Sequence, residues 1–172
     1  GNPDFVVLPQ VLWNHPFANV HFLGSNWHWE VSQCECRGEI IQFIGWSFPT
    51  EYVMTNPVST LAGGHTNPNY LRIGLLHTDV DRPESRYAPV SLLDLQNANL
   101  DIWILGHIHK PSEYAGSKII RYSGSPQALS AKETGSHGVL LLTVDSSRTV
   151  DIKEIIFSNC RFERMNVDIS SV

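Results

Sequence analysis

Short apolar runs separated by Gly, Pro and Asn dominate the chain and predict a strand-rich protein. Residues 27–33 alternate between apolar and polar side chains, as a half-buried strand does. A second apolar run follows at 40–48, and Arg37 and Gly38 between the two runs predict the turn of a β-hairpin. A shorter run at 20–23 predicts a further strand.

The section from residue 71 to residue 107 predicts strand, helix, strand. Its continuous apolar runs at 71–76 and 102–105 are typical of strands covered on both faces of a sheet. Pro89 favours the start of a helix over 89–97. The fold class is therefore α/β, and in such sheets the ligand site lies beyond the carboxyl ends of the strands.

The rest of the chain predicts more strands within one domain of 172 residues. Further strands are expected at 118–122, 138–144, 150–158 and 161–169, and a short helix near 58–62. No apolar run approaches the roughly 18–20 residues that span a bilayer, so no membrane association is expected.

Charge and cysteine content narrow the classes of function. The net charge of −5 argues against a dedicated nucleic-acid-binding module. This charge is still compatible with an enzyme that binds phosphate through metal ions. Three cysteines are typical of a reduced, cytoplasmic protein rather than of a disulfide framework. Cys34 and Cys36 form a C-x-C pair. A zinc site normally needs a second pair, so we interpret the two cysteines as strand positions that face the same side.

Three histidines follow the two buried strands. His77 comes directly after the first run, and His107 and His109 come directly after the second. Gly106 allows the backbone to turn sharply there. Because parallel strands end at the same edge and imidazole is the commonest metal ligand near neutral pH, the three side chains predict a metal centre. The other histidines, including His137, are expected to be solvated turn residues.

These residues resemble a known family. The motif G-x-x-H at 74–77 followed by G-H-x-H at 106–109 is similar to the last two metal motifs of the calcineurin-like metallophosphoesterases. The segments at 100–111, 120–145 and 160–170 resemble the DNA-repair exonuclease branch, which contains the nuclease subunit of the bacterial SbcCD complex. The resemblance covers roughly residues 71–170 and implies a four-layer α/β/β/α sandwich. This chain would supply mainly the second sheet of that sandwich.

The first residues become interpretable through the same resemblance. The family's third motif is G-N-H followed by Asp or Glu, and this chain opens Gly1-Asn2-Pro3-Asp4. Either this is that motif with Pro3 in place of the histidine, or the opening is a cloning remnant that mimics it. If it is the motif, the chain begins in mid-domain, without the family's earlier D-x-H and G-D-x-x-D motifs.

The resemblance also implies a ligand set. The family holds two divalent ions, usually manganese in this branch, about 3.5–4 Å apart. One ion would be bound by Asn2, His77 and His107, and the other by His109 together with upstream residues. Pro3 offers neither acid, base nor donor where the family has its histidine. The chain alone is therefore expected to bind metal weakly and to hydrolyse little.

Secondary candidates surround this set. Asp79 is expected to hold a ligand histidine by a hydrogen bond, unless it and Asp81 are loop caps. Lys110 is a candidate phosphate contact or a solvated turn lysine. Ser123 and Ser125 either present backbone N–H groups to phosphate or form a simple turn.

The resemblance implies metal-dependent hydrolysis of DNA phosphodiesters with an ATPase partner of the SbcC type. Two alternatives stay open: a phosphoesterase acting on small phosphodiesters or phosphoproteins, and a non-catalytic scaffold that keeps the fold. A chain without the first sheet is also expected to expose an apolar sheet face and to self-associate through it.

Overall fold

The computed structural model describes residues 4–14, 17–25, 27–61, 66–168 and 170. The elements in chain order are α1 (Val7–Asn14), β1 (Glu30–Cys36), β2 (Glu39–Trp46), β3 (Leu71–His77), α2 (Leu92–Asn97), β4 (Ile102–Gly106), β5 (Ser112–Tyr114), β6 (Ile119–Tyr122), β7 (Gly138–Val144) and β8 (Val150–Ile156). A 3₁₀ helix lies between β2 and β3, at Pro57–Thr60. Within these described ranges, neither α-helix has the length and apolar character needed to cross a membrane.

The described residues form a mixed sheet of six strands in the order β1-β2-β3-β4-β6-β5, and a separate hairpin of β7 and β8. The four central strands β2, β3, β4 and β6 are parallel, and the edge strands β1 and β5 are antiparallel to their neighbours. Many strands and few helices fit the predicted α/β class. The carboxyl ends of the four parallel strands lie along one edge of the sheet, where a ligand site is expected.

The hairpin of β1 and β2 confirms the predicted turn. Cys36 pairs with Glu39, so the loop between the strands has two residues. Arg37 and Gly38 both have positive φ, 53° and 84°, which is the type I′ turn that matches strand twist. The predicted strand 27–33 begins only at residue 30, because Trp27 has a φ of 65° and is outside the extended region.

Two predicted strands are wrong. The segment 20–23 has no ladder partner; it packs beside the end of β2, where Ser47 Oγ donates to the carbonyl oxygen of Leu23 at 2.6 Å. Between 161 and 168 the described backbone has a single bridge, from Phe162 to Thr134. In both places apolar residues give a strand-like composition, but several of them, such as Val20, Met165 and Val167, are exposed and no ladder forms.

The helices also differ from the prediction. Helix α1 lies in a stretch that the apolar pattern did not assign. Helix α2 starts three residues after Pro89, because Ser91 caps it: Ser91 Oγ accepts from the Asp94 backbone N–H at 3.0 Å, and the Asp94 carboxylate accepts from the Ser91 backbone N–H at 3.2 Å. This reciprocal capping box fixes the first turn more tightly than proline does.

The larger sheet has an apolar core on each face. One core contains fully buried side chains such as Trp103 and Leu105, together with Leu95 of α2. The other contains Leu71, Ile73 and Ile102, against which the hairpin of β7 and β8 packs. Strands β3 and β4 are thus covered on both faces, as their continuous apolar sequence predicts. Their carboxyl ends are held rigidly between the two cores.

Candidate metal centre

His77 and His107 lie side by side at the carboxyl edge of the sheet. His77 is the last residue of β3 and pairs with Gly106, the last residue of β4. His107 follows directly, and its Nδ1 lies 3.2 Å from Nε2 of His77. The strand register therefore brings together two of the histidines that the sequence singles out.

The backbone at Gly106 and His107 is shaped for this contact. A Cβ atom at residue 106 would lie 3.2 Å from Nδ1 of His77, which is tighter than ordinary van der Waals contact. His107 has a φ of 99°, a conformation that side chains other than glycine rarely adopt and that costs on the order of 1–3 kcal/mol. Strain of this kind persists only where the surrounding structure holds it, and it is enriched at functional sites.

Asp79 lies behind the histidine pair. Its Oδ2 is 3.5 Å from Nε2 of His107, and it accepts a hydrogen bond from Ser85 Oγ at 2.6 Å. A carboxylate only accepts, so it favours a proton on Nε2 of His107 and leaves Nδ1, the nitrogen that faces His77, with its lone pair. Asp79 thus lies beside a candidate ligand histidine, and its predicted role stays a prediction. Asp81 is a cap, since its Oδ1 accepts from the Leu92 backbone N–H at 2.8 Å.

Two aromatic rings enclose the pair. Phe48 packs edge-on against His77 with ring centroids 5.3 Å apart, and Tyr87 packs on His107 at 4.5 Å. Burial, with smaller electrostatic contributions that include His107 and His109, lowers the pKa of His77 to about 3. Burial also lowers the pKa of His107, although Asp79 opposes this. Both imidazoles are therefore neutral at pH 7, which is the form that binds metal ions.

His109 points to a different partner. Its Nδ1 lies 2.9 Å from Oε1 of Glu133, and its side chain is 45% exposed. It is close enough to His77 and His107 to act on their pKa values electrostatically. The structure thus brings His109 to the rim of the site, and Glu133 holds one of its two ring nitrogens.

The residues predicted as candidate phosphate contacts lie in other environments. Lys110 is exposed beside His109, as a solvated turn lysine is. The backbone N–H groups of Ser123 and Ser125 donate to the carbonyl oxygens of Leu105 and His109 at 3.0 and 3.1 Å. The two serines therefore form a turn, and their N–H groups are not available to phosphate. Asn2 and Pro3 lie outside the described residues.

The distance between His77 and His107 is suitable for a shared ion. Two ligands about 2.0–2.1 Å from one ion are roughly 3.0–3.4 Å apart, depending on whether the geometry is octahedral or tetrahedral. The observed 3.2 Å lies in this range, and it equally fits a hydrogen bond between the rings. Over residues 4–14, 17–25, 27–61, 66–168 and 170, however, no group of three or more His, Cys, Asp or Glu side chains is placed to hold an ion. The described residues fit part of a metal centre.

Two candidate functional residues were not predicted from the sequence pattern. His137, expected as a solvated turn residue, is only 4% exposed. Its Nδ1 lies 3.1 Å from Ser125 Oγ and its Nε2 lies 3.3 Å from the Glu133 carbonyl oxygen. Glu133 itself stands 24 positions from its partner His109, in a segment without strand or helix periodicity. Such long-range polar contacts leave no local signal in the sequence.

Comparison with known proteins gives one informative similarity. The chain is 31% identical to an uncharacterized metallophosphoesterase, YhaO, of Bacillus subtilis (strain 168), over an alignment of 129 residues that covers 73% of this chain. The aligned part spans 31% of the length of that relative. No family model matches the chain. The chain is thus similar to a metallophosphoesterase over about a third of the length of that relative.

Proposed function

We propose that this chain is the carboxy-terminal part of a metallophosphoesterase domain of the DNA-repair exonuclease type, which hydrolyses DNA phosphodiesters with two divalent ions, manganese by preference. The observation that carries the proposal is the pair of neutral imidazoles of His77 and His107, 3.2 Å apart at the carboxyl edge of a parallel sheet. The similarity to a metallophosphoesterase gives independent support for the reaction class.

Each histidine has a role in this proposal. In it, His77 Nε2 and His107 Nδ1 would hold one ion together with Asn2, and His109 would hold the other through Nε2. Such ions would supply polarisation of a phosphodiester and a lowered pKa for bound water. Asp79 fixes the ring orientation of His107, and burial against Phe48 and Tyr87 keeps the rings of His77 and His107 neutral.

The chain by itself is expected to be a poor catalyst. Imidazoles and an amide lack the carboxylate charge that normally holds manganese. Pro3 supplies no acid or base, a role worth about 10²–10⁴ in rate. The proposal therefore assigns hydrolysis to a longer protein, in which upstream carboxylates complete the site and an ATPase of the SbcC type is the partner.

The test compares this chain with a version that carries an upstream segment with D-x-H and G-D-x-x-D motifs and the change Pro3→His. Each is assayed with manganese on single-stranded DNA and on bis-p-nitrophenyl phosphate. We expect turnover of DNA by the extended version only, lost on His107→Ala and kept on His28→Ala, which removes an exposed histidine. Turnover of the small diester but not of DNA would instead favour a small-substrate phosphoesterase.

A non-catalytic scaffold is the second candidate. It is favoured by the lack, within the described part of the chain, of three metal-ligating side chains around one point. Under this alternative the extended version folds but hydrolyses neither substrate. Robust turnover by the unextended chain, abolished by His107→Ala, would contradict both candidates, because it would mean that these residues suffice.

A further inference from the structure

Glu133 makes a polar contact with His109 near the proposed site, and the proposed function gives Glu133 no role as a metal ligand. Its Oε1 lies 2.9 Å from Nδ1 of His109. The carboxylate is 22% exposed, about half the exposure of the imidazole that it holds. An ion pair between exposed side chains contributes little to stability. The surroundings of Glu133 therefore decide whether the contact is specific.

The Glu133 carboxylate is itself fixed by the backbone. Its second oxygen, Oε2, accepts from the backbone N–H of Leu129 at 3.0 Å. The Glu133 backbone N–H donates to the Ser130 carbonyl oxygen at 3.0 Å. With both carboxylate oxygens engaged, the side chain has one orientation rather than the many that a free surface glutamate samples.

A ring of contacts joins this segment to the backbone of His109. The Glu133 carbonyl oxygen lies 3.3 Å from Nε2 of the buried His137. Nδ1 of His137 lies 3.1 Å from Ser125 Oγ, and the Ser125 backbone N–H donates to the His109 carbonyl oxygen at 3.1 Å. Side chain and main chain of His109 are thus tied to the same loop, which fixes both the position and the rotation of its imidazole.

We propose that Glu133 is a positioning residue, which accepts a hydrogen bond from the Nδ1–H group of His109 and thereby leaves the Nε2 lone pair for a divalent ion. The inference rests on the proposed function, in which His109 binds the second ion. Metal-binding histidines commonly donate their other ring N–H to a carboxylate, which sets the tautomer and raises the basicity of the ligating nitrogen. Glu133 does not itself touch the ion or the phosphate.

The tautomer of His109 is the direct readout, and it needs no metal. In chain labelled with ¹⁵N-histidine and held at about pH 8.5, where an ordinary imidazole is neutral, we expect the proton of His109 on Nδ1. Glu133→Ala should move it to Nε2, whereas Glu35→Ala, at an exposed position of β1, should leave it on Nδ1. Glu133→Gln keeps an accepting oxygen and should rescue the Nδ1 tautomer even if the alanine variant folds poorly.

Metal affinity is the second readout, measured by calorimetric titration of manganese into the extended version. Loss of such a partner typically costs about 10–100-fold in affinity, and we expect a loss in this range for Glu133→Ala only. A proton on Nε2 of His109 in the unaltered chain, or one that Glu133→Ala does not move, would overturn the role of Glu133. Absence of manganese binding with the expected tautomer change would overturn the proposed function but not the role of Glu133.

Discussion

At the scale of single residues, the glycine of the G-x-x-H motif has a packing role. A Cβ atom on Gly74 would lie 2.3 Å from Cε3 of Trp103 and 2.8 Å from Cδ1 of Leu100. Trp103 is fully buried, and its Nε1 donates to the Leu95 carbonyl oxygen at 3.0 Å, so it cannot move aside easily. The glycine therefore lets β3 lie flat on the indole, and the metal-site histidine follows at the end of the strand.

Gly74→Ala is expected to destabilise the protein by at least about 1–3 kcal/mol, the usual cost of overpacking a core. Urea unfolding followed by tryptophan fluorescence measures the change. The matched control is Gly116→Ala, whose Cβ would meet the amide end of the Gln96 side chain at 2.3 Å. That side chain is flexible, so the control should unfold close to the unaltered protein; equal losses would refute the packing argument.

Tyr122 supports the loop that carries Asp79. Its hydroxyl donates to the Thr78 carbonyl oxygen at 2.8 Å and accepts from the Val80 backbone N–H at 3.1 Å. Burial raises the pKa of the phenol, so it stays protonated and can donate. Tyr122→Phe should leave both backbone groups buried without a partner, at a cost of roughly 1–3 kcal/mol in the free energy of unfolding. Tyr52→Phe, at an exposed tyrosine, should change little.

At the scale of elements, strands 71–76 and 102–105 were predictable because both of their faces are buried and their apolar runs are continuous. The hairpin was predictable from its two-residue turn. The conformations of segment 20–23 and helix α1 were not, because several of their apolar side chains are exposed and no buried face gives the sequence a period. The pairing of Glu133 with His109 depends on the tertiary path of the chain, which no local pattern reports.

The type I′ turn of β1 and β2 offers a way to stabilise the protein. Arg37 has a φ of 53°, a conformation that costs a residue other than glycine about 1–2 kcal/mol. Asn adopts it more readily, so Arg37→Asn should raise the free energy of unfolding by about 0.5–1 kcal/mol. Arg37→Lys keeps the charge and the backbone strain, and should have no effect. An equal gain with lysine would contradict the strain argument, because lysine keeps the strained backbone.

An ion pair joins the beginnings of β3 and β4. Arg72 Nη2 lies 2.7 Å from Asp101 Oδ1, and the Arg72 backbone N–H donates to Asp101 Oδ2 at 2.8 Å. Burial alone would raise the pKa of the Asp101 carboxyl, but the hydrogen bonds from Arg72 outweigh burial and lower it. The carboxylate therefore contributes its full stability at pH above the unfolded value of about 3.9 and loses it as the pH falls below that value.

Asp101→Asn should remove this dependence on pH. Between pH 6 and pH 3, the urea midpoint of the unaltered protein should fall more than that of the variant, because only the former has this carboxylate to protonate. Asp151→Asn is the control, since Asp151 is exposed on β8 and its side chain is 62% accessible. Parallel curves for the unaltered protein and Asp101→Asn would show that the pair makes no such contribution.

At the scale of the whole molecule, the hairpin of β7 and β8 has one covered and one uncovered face. Leu142, Val144 and Val150 pack against the sheet core. On the other face Val139 and Leu141 are 42% and 50% exposed. Exposed apolar side chains grouped on one strand face commonly mark an interaction surface. The sequence predicts self-association through the sheet face against which a first sheet would pack; for this hairpin we propose self-association through its exposed face.

Leu141→Lys should weaken that association, and sedimentation equilibrium over a range of concentrations measures it. Thr143→Lys places the same charge two residues along the same exposed face, where it removes no large apolar side chain. The leucine variant should dissociate at a higher protein concentration than the threonine variant. An unaltered protein that stays monomeric over the whole concentration range would contradict the proposal.

The strand order of the larger sheet also fixes when the histidine pair can exist during folding. Cys36 and Glu39 pair across three positions, whereas Ile73 pairs with Ile102 across twenty-nine. Hairpins close in about 1–10 μs. Non-local parallel pairing is slower, because it must first overcome a larger entropic cost of loop closure. His77 and His107 meet only when β3 and β4 have joined. The edge that carries the histidine pair thus forms late in folding, and any intermediate that contains only the local hairpins lacks it.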